Sequence, residues 1–310
     1  MLEVASPLLA QLAFYQPQPG GGFQAIETGY ALPFAQRPHA SRYFVWPVTL
    51  PAQSDQFLCV RIATPNSMVL PLTLWEPEAF HAHERADYVF QALYFGSALA
   101  IILYNLMLFV ALRDRSYLLY VVSAAFSALT VAAFVGVGTE YLWGDWPQLT
   151  KIATNLSLAI ALTAFLLFTR RMLFTALWVP KLDRLLKLFV GVNLSFCGLL
   201  LFWFEHFARL FVINYAVTAV LLLITGTLCA IKRERSAYFF MAAFVVVLLA
   251  LATLSMRQLG ILPTNAWTTS GAQIGSALEV GLLSLALADR INAMKAERER
   301  ILASLAQLVL

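Results

Sequence analysis

Seven stretches of nearly uncharged, apolar residues follow one another along the last two thirds of the chain. Each is about 20 residues long, which is the length that an α-helix needs to cross the hydrocarbon core of a bilayer. The predicted spans are residues 88–112, 117–137, 152–169, 188–204, 208–231, 237–256 and 271–288. The pattern therefore predicts a membrane all-α bundle of seven helices over residues 88–289.

The first 85 residues have a different pattern. Short segments rich in Val, Phe, Trp and Thr alternate with Pro, Ser, Asp and Asn, as in RYFVWPVTL, QFLCVRIAT and VLPLTLWEP. This arrangement is typical of strands joined by turns. We expect three or four strands that form a partial β-sandwich over residues 1–85, and three or four are few for a sandwich that folds on its own.

Residues 290–310 predict a third kind of structure, a cytoplasmic coiled-coil helix. Apolar residues occupy five of six positions at alternating spacings of three and four, which is the pattern of a coiled-coil seam. These positions are Ile291, Met294, Arg298, Ile301, Leu305 and Leu308. The seam predicts a homodimer through this helix. The alternative is an amphipathic helix that lies on the inner leaflet.

Composition agrees with the membrane assignment. Hydrophobic residues make up 60% of the 310 positions and charged residues only 12%, with a mean hydropathy of +0.74. A soluble chain of this size would expose large apolar patches, whereas lipid covers them without cost. The net charge of +4 is spread over loops, so we expect membrane lipid and no nucleic acid as a partner.

The distribution of Lys and Arg predicts the orientation. If the first span enters from outside, the inner loops and the C-terminal segment hold fourteen of these cations and the outer loops between spans hold three. Positive charge accumulates on the cytoplasmic side of membrane proteins. We therefore expect a multi-pass protein of the cell inner membrane, with a periplasmic N-terminus and a cytoplasmic C-terminus.

The N-terminus does not look like an export signal. The segment MLEVASPLLAQLAFYQ carries Glu3 and has no positively charged start, although about 85 residues must cross the membrane. We expect that the natural start lies upstream, and that the chain is either a fragment or the product of an open reading frame whose start is assigned too late.

The spans resemble the bacterial seven-transmembrane receptors with diverse intracellular signalling modules. The matching stretches are FGSALAIILYNLMLFVALRDRSYLLYV at 95–121, GTEYLWGDWP at 138–147 and EVGLLSLALADRINAMKAERER at 279–300. The segments PFAQRPHASRYFVWPVTLP at 33–51 and VLPLTLWEPEAF at 69–80 are similar to the later half of that family's jelly-roll-like sensor domain.

This resemblance implies a receptor that senses a small-molecule or carbohydrate-like ligand outside the cell. It also implies that the seventh helix relays the signal to a cytoplasmic cyclase, kinase or phosphatase. No such output module occurs within residues 1–310. The alternative function is a membrane-embedded ligand-binding or scaffold protein without signalling output.

Four polar residues near or within the spans are candidates for signalling. Glu279 lies near the middle of the seventh span, where a carboxylate is costly and needs a partner or a proton. It serves either as a switch or as a hydrogen-bonded packing residue. Asn105 is expected to bond between helices, with contact to a ligand as the alternative. Arg113 and Asp114 form an inner turn that either docks the signalling helix or anchors the topology.

Four residues of the outer segment are weak candidates for ligand binding. His39, Arg42, Trp46 and Trp75 combine stacking surfaces with hydrogen-bonding groups, as a sugar site requires, although the same residues also suit an ordinary sandwich. His81 and His83 suggest a metal pair on a strand, but two ligands without a further Cys or His do not make a metal site. The three cysteines offer no disulfide or metal spacing.

Other membrane functions lack their usual residues. All four histidines lie outside the spans, and no metalloprotease or serine-hydrolase motif is present. All five lysines lie in loops or at interfaces, so a buried Schiff base is not expected. Internally repeated halves, which are typical of transporters, are missing. We expect no enzyme activity, no catalytic residues, no cofactor and no metal.

Overall fold

A computed structural model describes residues 1–17, 22–50, 57–65, 68–232, 235–263 and 265–309. The side chains of residues 17, 235, 266 and 293–309 are outside this description. Within it, a small β-domain is followed by helices that include seven long enough and apolar enough to cross a membrane. The β-domain is called the sensor domain below, after the family domain that its sequence resembles.

The sensor domain contains two antiparallel sheets of three strands each. The first has the order β4-β1-β6 and the second has the order β3-β2-β5. The strands are β1 Leu2–Val4, β2 Gln11–Pro17, β3 Phe23–Thr28, β4 Phe44–Trp46, β5 Cys59–Ala63 and β6 Leu72–Leu74. The prediction of three or four strands was therefore too low, because the three strands before residue 30 were missed.

The core of the sensor domain explains why its strands are hard to recognise. Every residue of β1 and β4 is buried. β4 is apolar throughout, so it lacks the alternation of apolar and polar residues that marks a half-exposed strand, and β1 has only three residues, too few to show a pattern. Leu2, Val4, Phe14, Phe44 and Trp46 pack into one cluster between the sheets. Trp46, which is 0% exposed, tilts against Phe14 at 5.5 Å between ring centroids.

The seven predicted spans are all confirmed as helices. They correspond to α1 Pro77–Leu112, α2 Arg115–Val135, α4 Pro147–Met172, α6 Pro180–Phe202, α7 Phe204–Ile231, α8 Arg235–Gln258 and α9 Ala266–Val309. Two short helices join them, α3 Val137–Tyr141 and α5 Thr175–Trp178. Several long helices begin with proline at the first helical position, which suits an N-terminus because proline lacks the N–H that would be unpaired there.

The first helix starts earlier than the hydropathy predicted. It begins at Pro77 rather than at residue 88, so its first three turns stand outside the apolar stretch. His81 and His83 therefore lie on this helix, and their expected placement on a strand was wrong. Once a helix has formed, each further residue adds one backbone hydrogen bond, so the helix can extend beyond the apolar stretch into water.

Helix packing places large side chains at the centre of the bundle. Leu166, Phe168, Phe240 and Leu283 belong to its main buried cluster, and the rings of Phe165, Phe240 and Phe244 stack. Other large apolar side chains point outward, among them Leu93, Met107 and Val110 of α1. Lipid chains are the natural environment for such a surface.

The inner turn between α1 and α2 closes both helices. Arg113 ends α1 in the left-handed conformation, with φ of 55°. Asp114 begins α2 and accepts a hydrogen bond from the backbone N–H of Ser116 at 2.8 Å. An aspartate at this position satisfies a backbone donor that has no partner within the helix.

The last helix is the longest described element, with 44 residues. Ile291 packs partly buried against the bundle core. The predicted seam positions Met294, Ile301, Leu305 and Leu308 belong to the helix, but their side chains lie outside the described residues. The coiled coil therefore stays a prediction.

Candidate functional site

Arg42 joins the sensor domain to the first membrane helix. Its guanidinium donates to both carboxylate oxygens of Asp87 on α1, from Nε and from Nη2, each at 2.6 Å. Its Nη1 donates to the carbonyl oxygen of Val135, the last residue of α2, at 2.7 Å. One side chain of the sensor domain thus holds two membrane helices.

Burial makes this contact a strong one. The Arg42 side chain is only 4% exposed, and a buried guanidinium is tolerated only when its donors and its charge are satisfied. Burial alone would lower the pKa of Arg42, but Tyr43 and Asp87 raise it by more than burial lowers it, so the pKa lies above its ordinary value. Tyr43 lies 4.0 Å from the guanidinium carbon, in the range of a cation–π contact.

A second contact lies beside the first. The hydroxyl of Tyr88 on α1 donates to the carboxylate of Glu140 on α3, with both oxygens at 2.8 Å. Burial raises the pKa of Glu140 above its ordinary value, although Tyr88, Tyr141 and the charge of Arg37 oppose the shift. Burial disfavours the charged form of Arg37 as well, and lowers its pKa to about 10.

A third contact involves histidine. The Nε2 atom of His39 lies 3.2 Å from a carboxylate oxygen of Glu84, one turn before Asp87 on α1. The His39 ring also meets the edge of Phe80 at 5.4 Å. His39 and Arg42 therefore contact the same face of the helix at successive turns.

The backbones approach closely at the corner between α2 and α3. Gly136 adopts a left-handed conformation with φ of 86°, and a Cβ atom there would lie 2.7 Å from the Cβ of Pro7 and 2.9 Å from the carbonyl oxygen of Arg42. The N–H of Phe34 donates to the carbonyl oxygen of Gly144 at 2.8 Å. Only glycine fits at position 136 without moving the sensor domain.

We call this set of contacts the sensor–helix junction. It comprises Arg37, His39 and Arg42 of the sensor domain, Glu84, Asp87 and Tyr88 of α1, and Val135, Gly136 and Glu140 at the α2–α3 corner.

The four residues predicted to bind ligand do not lie together in one site. His39 and Arg42 belong to the junction, and Trp46 is enclosed in the sandwich core. Trp75 is partly exposed, stacks on His83 at 4.6 Å, and donates from Nε1 to Glu3 at 2.7 Å. Their ligand-binding role stays a prediction, and Trp75 is the member of the set with an aromatic face near the surface.

Three hydrogen-bonded pairs continue from the junction into the membrane. Gln273 Nε2 on α9 donates to Gln91 Oε1 at 2.7 Å, and the hydroxyls of Tyr94 and Ser276 lie 3.1 Å apart. Deeper in the bundle, Asn105 Nδ2 donates to Ser284 Oγ at 2.8 Å. We call these pairs the α1–α9 ladder. Residue numbers rise together along both helices, so α1 and α9 run parallel.

The second helix is also bonded to α9. The hydroxyl of Tyr120 donates to the carbonyl oxygen of Val280 at 2.5 Å, and that of Tyr117 donates to the carbonyl oxygen of Leu287 at 3.2 Å. At the inner end, Arg290 Nη1 donates to Ser116 Oγ at 3.2 Å. Both helices held by Arg42 are therefore bonded to the helix that leaves the membrane last.

Glu279 lies between these bonded levels and faces a cavity of the bundle. In the part of the chain that the structure describes, it has no hydrogen bond or ion pair. The predicted role of Asn105 between helices matches its bond to Ser284. Asp114 caps α2, and one of its oxygens lies 4.0 Å from Arg171. Their roles in signalling stay predictions.

Several residues of the site were missed in the sequence. Asp87, Gln91 and Gln273 are polar residues at the edge of or within apolar stretches, which is a recognisable indication of a bonded partner. Their partners were not recognisable, because each pair joins distant segments. Among the described residues no group of three or more His, Cys, Asp or Glu side chains is arranged to hold a metal.

Two family models match the chain. The model described as 7TM diverse intracellular signalling matches residues 87–290, and the model described as 7TMR-DISM extracellular 2 matches residues 1–76. The searches of curated proteins and of solved structures give no match.

Proposed function

Because the chain belongs to the 7TM diverse intracellular signalling family and carries its extracellular sensor domain, we propose that it transmits a ligand signal from the sensor domain through α1 to α9. The ligand is a small molecule or carbohydrate-like. The protein lies in the inner membrane, with the sensor domain in the periplasm and the end of α9 in the cytoplasm.

The observation that carries the proposal is the buried contact of Arg42 with Asp87 and Val135. A sensor domain that only captured ligand would not need to bury a charged side chain against two membrane helices. A buried charged contact is specific in geometry, and removal of one partner is strongly unfavourable. A movement of β4 is therefore transmitted to α1 instead of being absorbed by a loose linker.

The α1–α9 ladder supports the next step. Asp87 and Gln91 stand one turn apart on α1, so a shift of α1 that follows Arg42 also moves Gln91 and its partner Gln273. In the mechanism, ligand binding changes the relative populations of two packings of α1 against α9. The bonded and the shifted arrangements of the ladder are the two states.

The cytoplasmic end of α9 delivers the signal. A homodimer through the predicted seam of Ile291, Met294, Ile301, Leu305 and Leu308 converts a shift of α9 into a change of register or rotation between two copies. The output chemistry belongs to a cytoplasmic signalling module, and residues 1–310 themselves perform no catalysis.

Disulfide cross-linking of the full chain in membranes tests the proposal. Cys59, Cys197 and Cys229 are replaced by Ala, a single cysteine is introduced at Ile301 or Leu305, and the rate of dimer cross-linking is measured. R42Q removes the charge at the junction, whereas R61Q removes an exposed arginine of β5 in the other sheet and serves as the matched control.

We expect R42Q to change the cross-linking rate severalfold and R61Q to leave it unchanged. The exchanged pair R42D/D87R restores an ion pair and should move the rate part of the way back. An R42Q rate equal to that of the parent, with the sensor domain still folded by hydrogen exchange, would contradict transmission through the junction and favour a binding protein without output.

A further inference from the structure

A cavity of about 340 Å³ lies inside the helical bundle. Residues of α2, α4, α7, α8 and α9 line it, so five of the seven membrane helices contribute to its wall. Sites for small organic ligands occupy about 300–1,000 Å³. The cavity is therefore large enough for a small molecule and too large to be a packing defect.

The wall of the cavity is mostly apolar, with a few polar groups. Its apolar part includes Leu158, Phe165, Phe244 and Leu251, while its polar part consists of hydroxyls, the amide of Gln273 and the carboxylate of Glu279. Ligand sites commonly combine an apolar wall with a small number of polar groups that orient the ligand.

Glu279 has the highest energetic cost among these groups. It is partly exposed and belongs to the wall of the cavity. The neighbouring hydroxyl of Tyr120 already donates to the carbonyl oxygen of Val280. No Lys, Arg or His is part of the cavity wall formed by the described residues. A charged carboxylate inside a membrane needs a partner, and the cavity is where that partner has room.

The outer end of the cavity lies next to the sensor–helix junction. Val135 and Thr269 line this end. The carbonyl oxygen of Val135 accepts the hydrogen bond from Arg42, and the hydroxyl of Thr269 lies 3.1 Å from Nη1 of Arg257. From Thr269 to Glu279 the helix rises about 15 Å. The cavity therefore extends from the sensor domain to the depth of Glu279.

We propose that this cavity is a second ligand site, which binds a small, mainly apolar molecule with one protonated amine. The ammonium group pairs with the Glu279 carboxylate, and the apolar part of the molecule extends along the wall toward Val135. The site is separate from any ligand site on the outer sandwich, and it exists whether or not α1 transmits a signal.

The charge and shape of the cavity favour this class of ligand over two others. Ordered water would hydrate the carboxylate but would leave most of the apolar wall without contacts, and apolar cavities usually stay dry. A lipid acyl chain would cover the apolar wall and leave Glu279 unpaired. An amphiphilic amine satisfies both parts of the wall together.

Equilibrium binding of radiolabelled 4-phenylbutylamine to the full chain in lipid nanodiscs tests the proposal, with empty nanodiscs subtracted. The neutral competitor is 4-phenylbutan-1-ol, which has the same shape without the charge. E279Q keeps the size of the side chain and removes the charge. S127F fills the cavity from α2, and S127A is its matched control.

We expect saturable binding of one amine per chain and roughly tenfold to one-hundredfold weaker affinity in E279Q, as for loss of a charge-assisted hydrogen bond. The alcohol should compete at least about tenfold less well than the amine with the parent protein, and equally well with E279Q. S127F should abolish binding and S127A should preserve it.

Three results would overturn the proposal. Binding that does not saturate would mean that the amine only enters the lipid. Equal affinity of the parent and E279Q would exclude Glu279 as the partner. Equal competition by amine, alcohol and added phospholipid would show an acyl-chain site. E279Q preserves side-chain volume, so the test remains decisive even if S127F fails to fold. None of these results depends on cross-linking of α9.

Discussion

The first and third membrane helices, α1 and α4, are stabilised in opposite ways. In the most apolar 18-residue window of each helix, 11% of α1 and 56% of α4 is buried within the protein. α1 is joined to the sensor domain and to α9 by polar contacts of Asp87, Gln91 and Asn105. The densely packed α4 also makes polar contacts to other helices, through Ser157 to α2 and Arg170 to α6. Several polar side chains of α4, such as Thr163 and Thr169, bond to their own helix backbone.

This difference separates two tasks within one bundle. A helix packed on most sides is fixed by many small dispersion contacts and cannot move without disturbing all of them. A helix at the edge, held by a few directed bonds, has discrete alternative positions. α4 therefore stabilises the bundle, while α1 is suited to transmit a movement.

Replacing Arg42 by Ala should produce the largest effect on this comparison. The change leaves Asp87 partly buried without its partner, and such losses cost about 3–5 kcal/mol. The attachment of the sensor domain to α1 should weaken by this amount. A double-mutant cycle with D87A, followed by thermal unfolding of the full chain in nanodiscs, measures the interaction, and a coupling free energy near zero would contradict the junction.

Replacing Leu166 by Ala should be the next largest change and should affect stability alone. Leu166 of α4 is fully buried in the main cluster, and such truncations cost about 2–5 kcal/mol. The free energy of unfolding should fall by that amount, while the cross-linking rate at Ile301 stays that of the parent. A shift of cross-linking as large as that of R42Q would remove the distinction between the two helices.

Replacing Gln273 by Leu should have a smaller effect on stability. It leaves the buried amide of Gln91 without its partner, and hydrogen bonds between membrane helices average about 0.6 kcal/mol and reach about 1.7 kcal/mol. We expect this loss of stability together with altered cross-linking of α9. T163V on α4 removes a hydroxyl bonded to its own helix and should change neither quantity.

The smallest expected effect is a change of stability with pH that arises from Glu140. Burial raises the pKa of this carboxyl in the folded protein, so the folded state binds its proton more tightly than the unfolded state. Its contribution to stability is complete below the ordinary pKa of 4.5 and is lost as pH rises through the folded pKa. The midpoint temperature of thermal unfolding should therefore fall more steeply with rising pH in the parent than in E140Q. Equal slopes would contradict the shift.

The seven helices could be predicted because the bilayer imposes a length and a composition on each of them. Each helix contains most of the apolar stretch that predicted it, but the position of its first and last residue is not set by the hydrocarbon alone. Pro77, Pro147 and Pro180 mark the true starts, and they were available in the sequence as indications of helix N-termini.

The sensor domain was harder to predict for a physical reason. Strand β1 has three residues and is buried along its whole length, so it is too short for its sequence to distinguish it from a loop. Trp46 was a weak candidate for ligand binding, with an ordinary sandwich residue as the alternative, and β4, which holds it, is buried along its whole length. Its neighbours come from β1 and β2, and only the fold brings them together.

The residues that make the functional contacts could be recognised in the sequence more easily than their pairing. A glutamine inside an apolar stretch, such as Gln91 or Gln273, can be recognised as a polar group in need of a partner. That the two are partners cannot be recognised, because 182 residues separate them. For the same reason Arg42 and Asp87 were visible as charges near a membrane surface but not as a pair.

The length of α9 has a mechanical consequence. Gln273 lies about 9 Å above Glu279 along the helix axis, whereas Val309 lies about 45 Å below it. If this rod tilts about the level of Glu279, a lateral displacement of about 0.8 Å beside α1 becomes about 4 Å at the C-terminal tip of the helix. The helix is then a lever with a gain of roughly five, so that a motion smaller than an atomic radius at the level of Gln273 suffices to exchange side-chain neighbours at the far end of the helix.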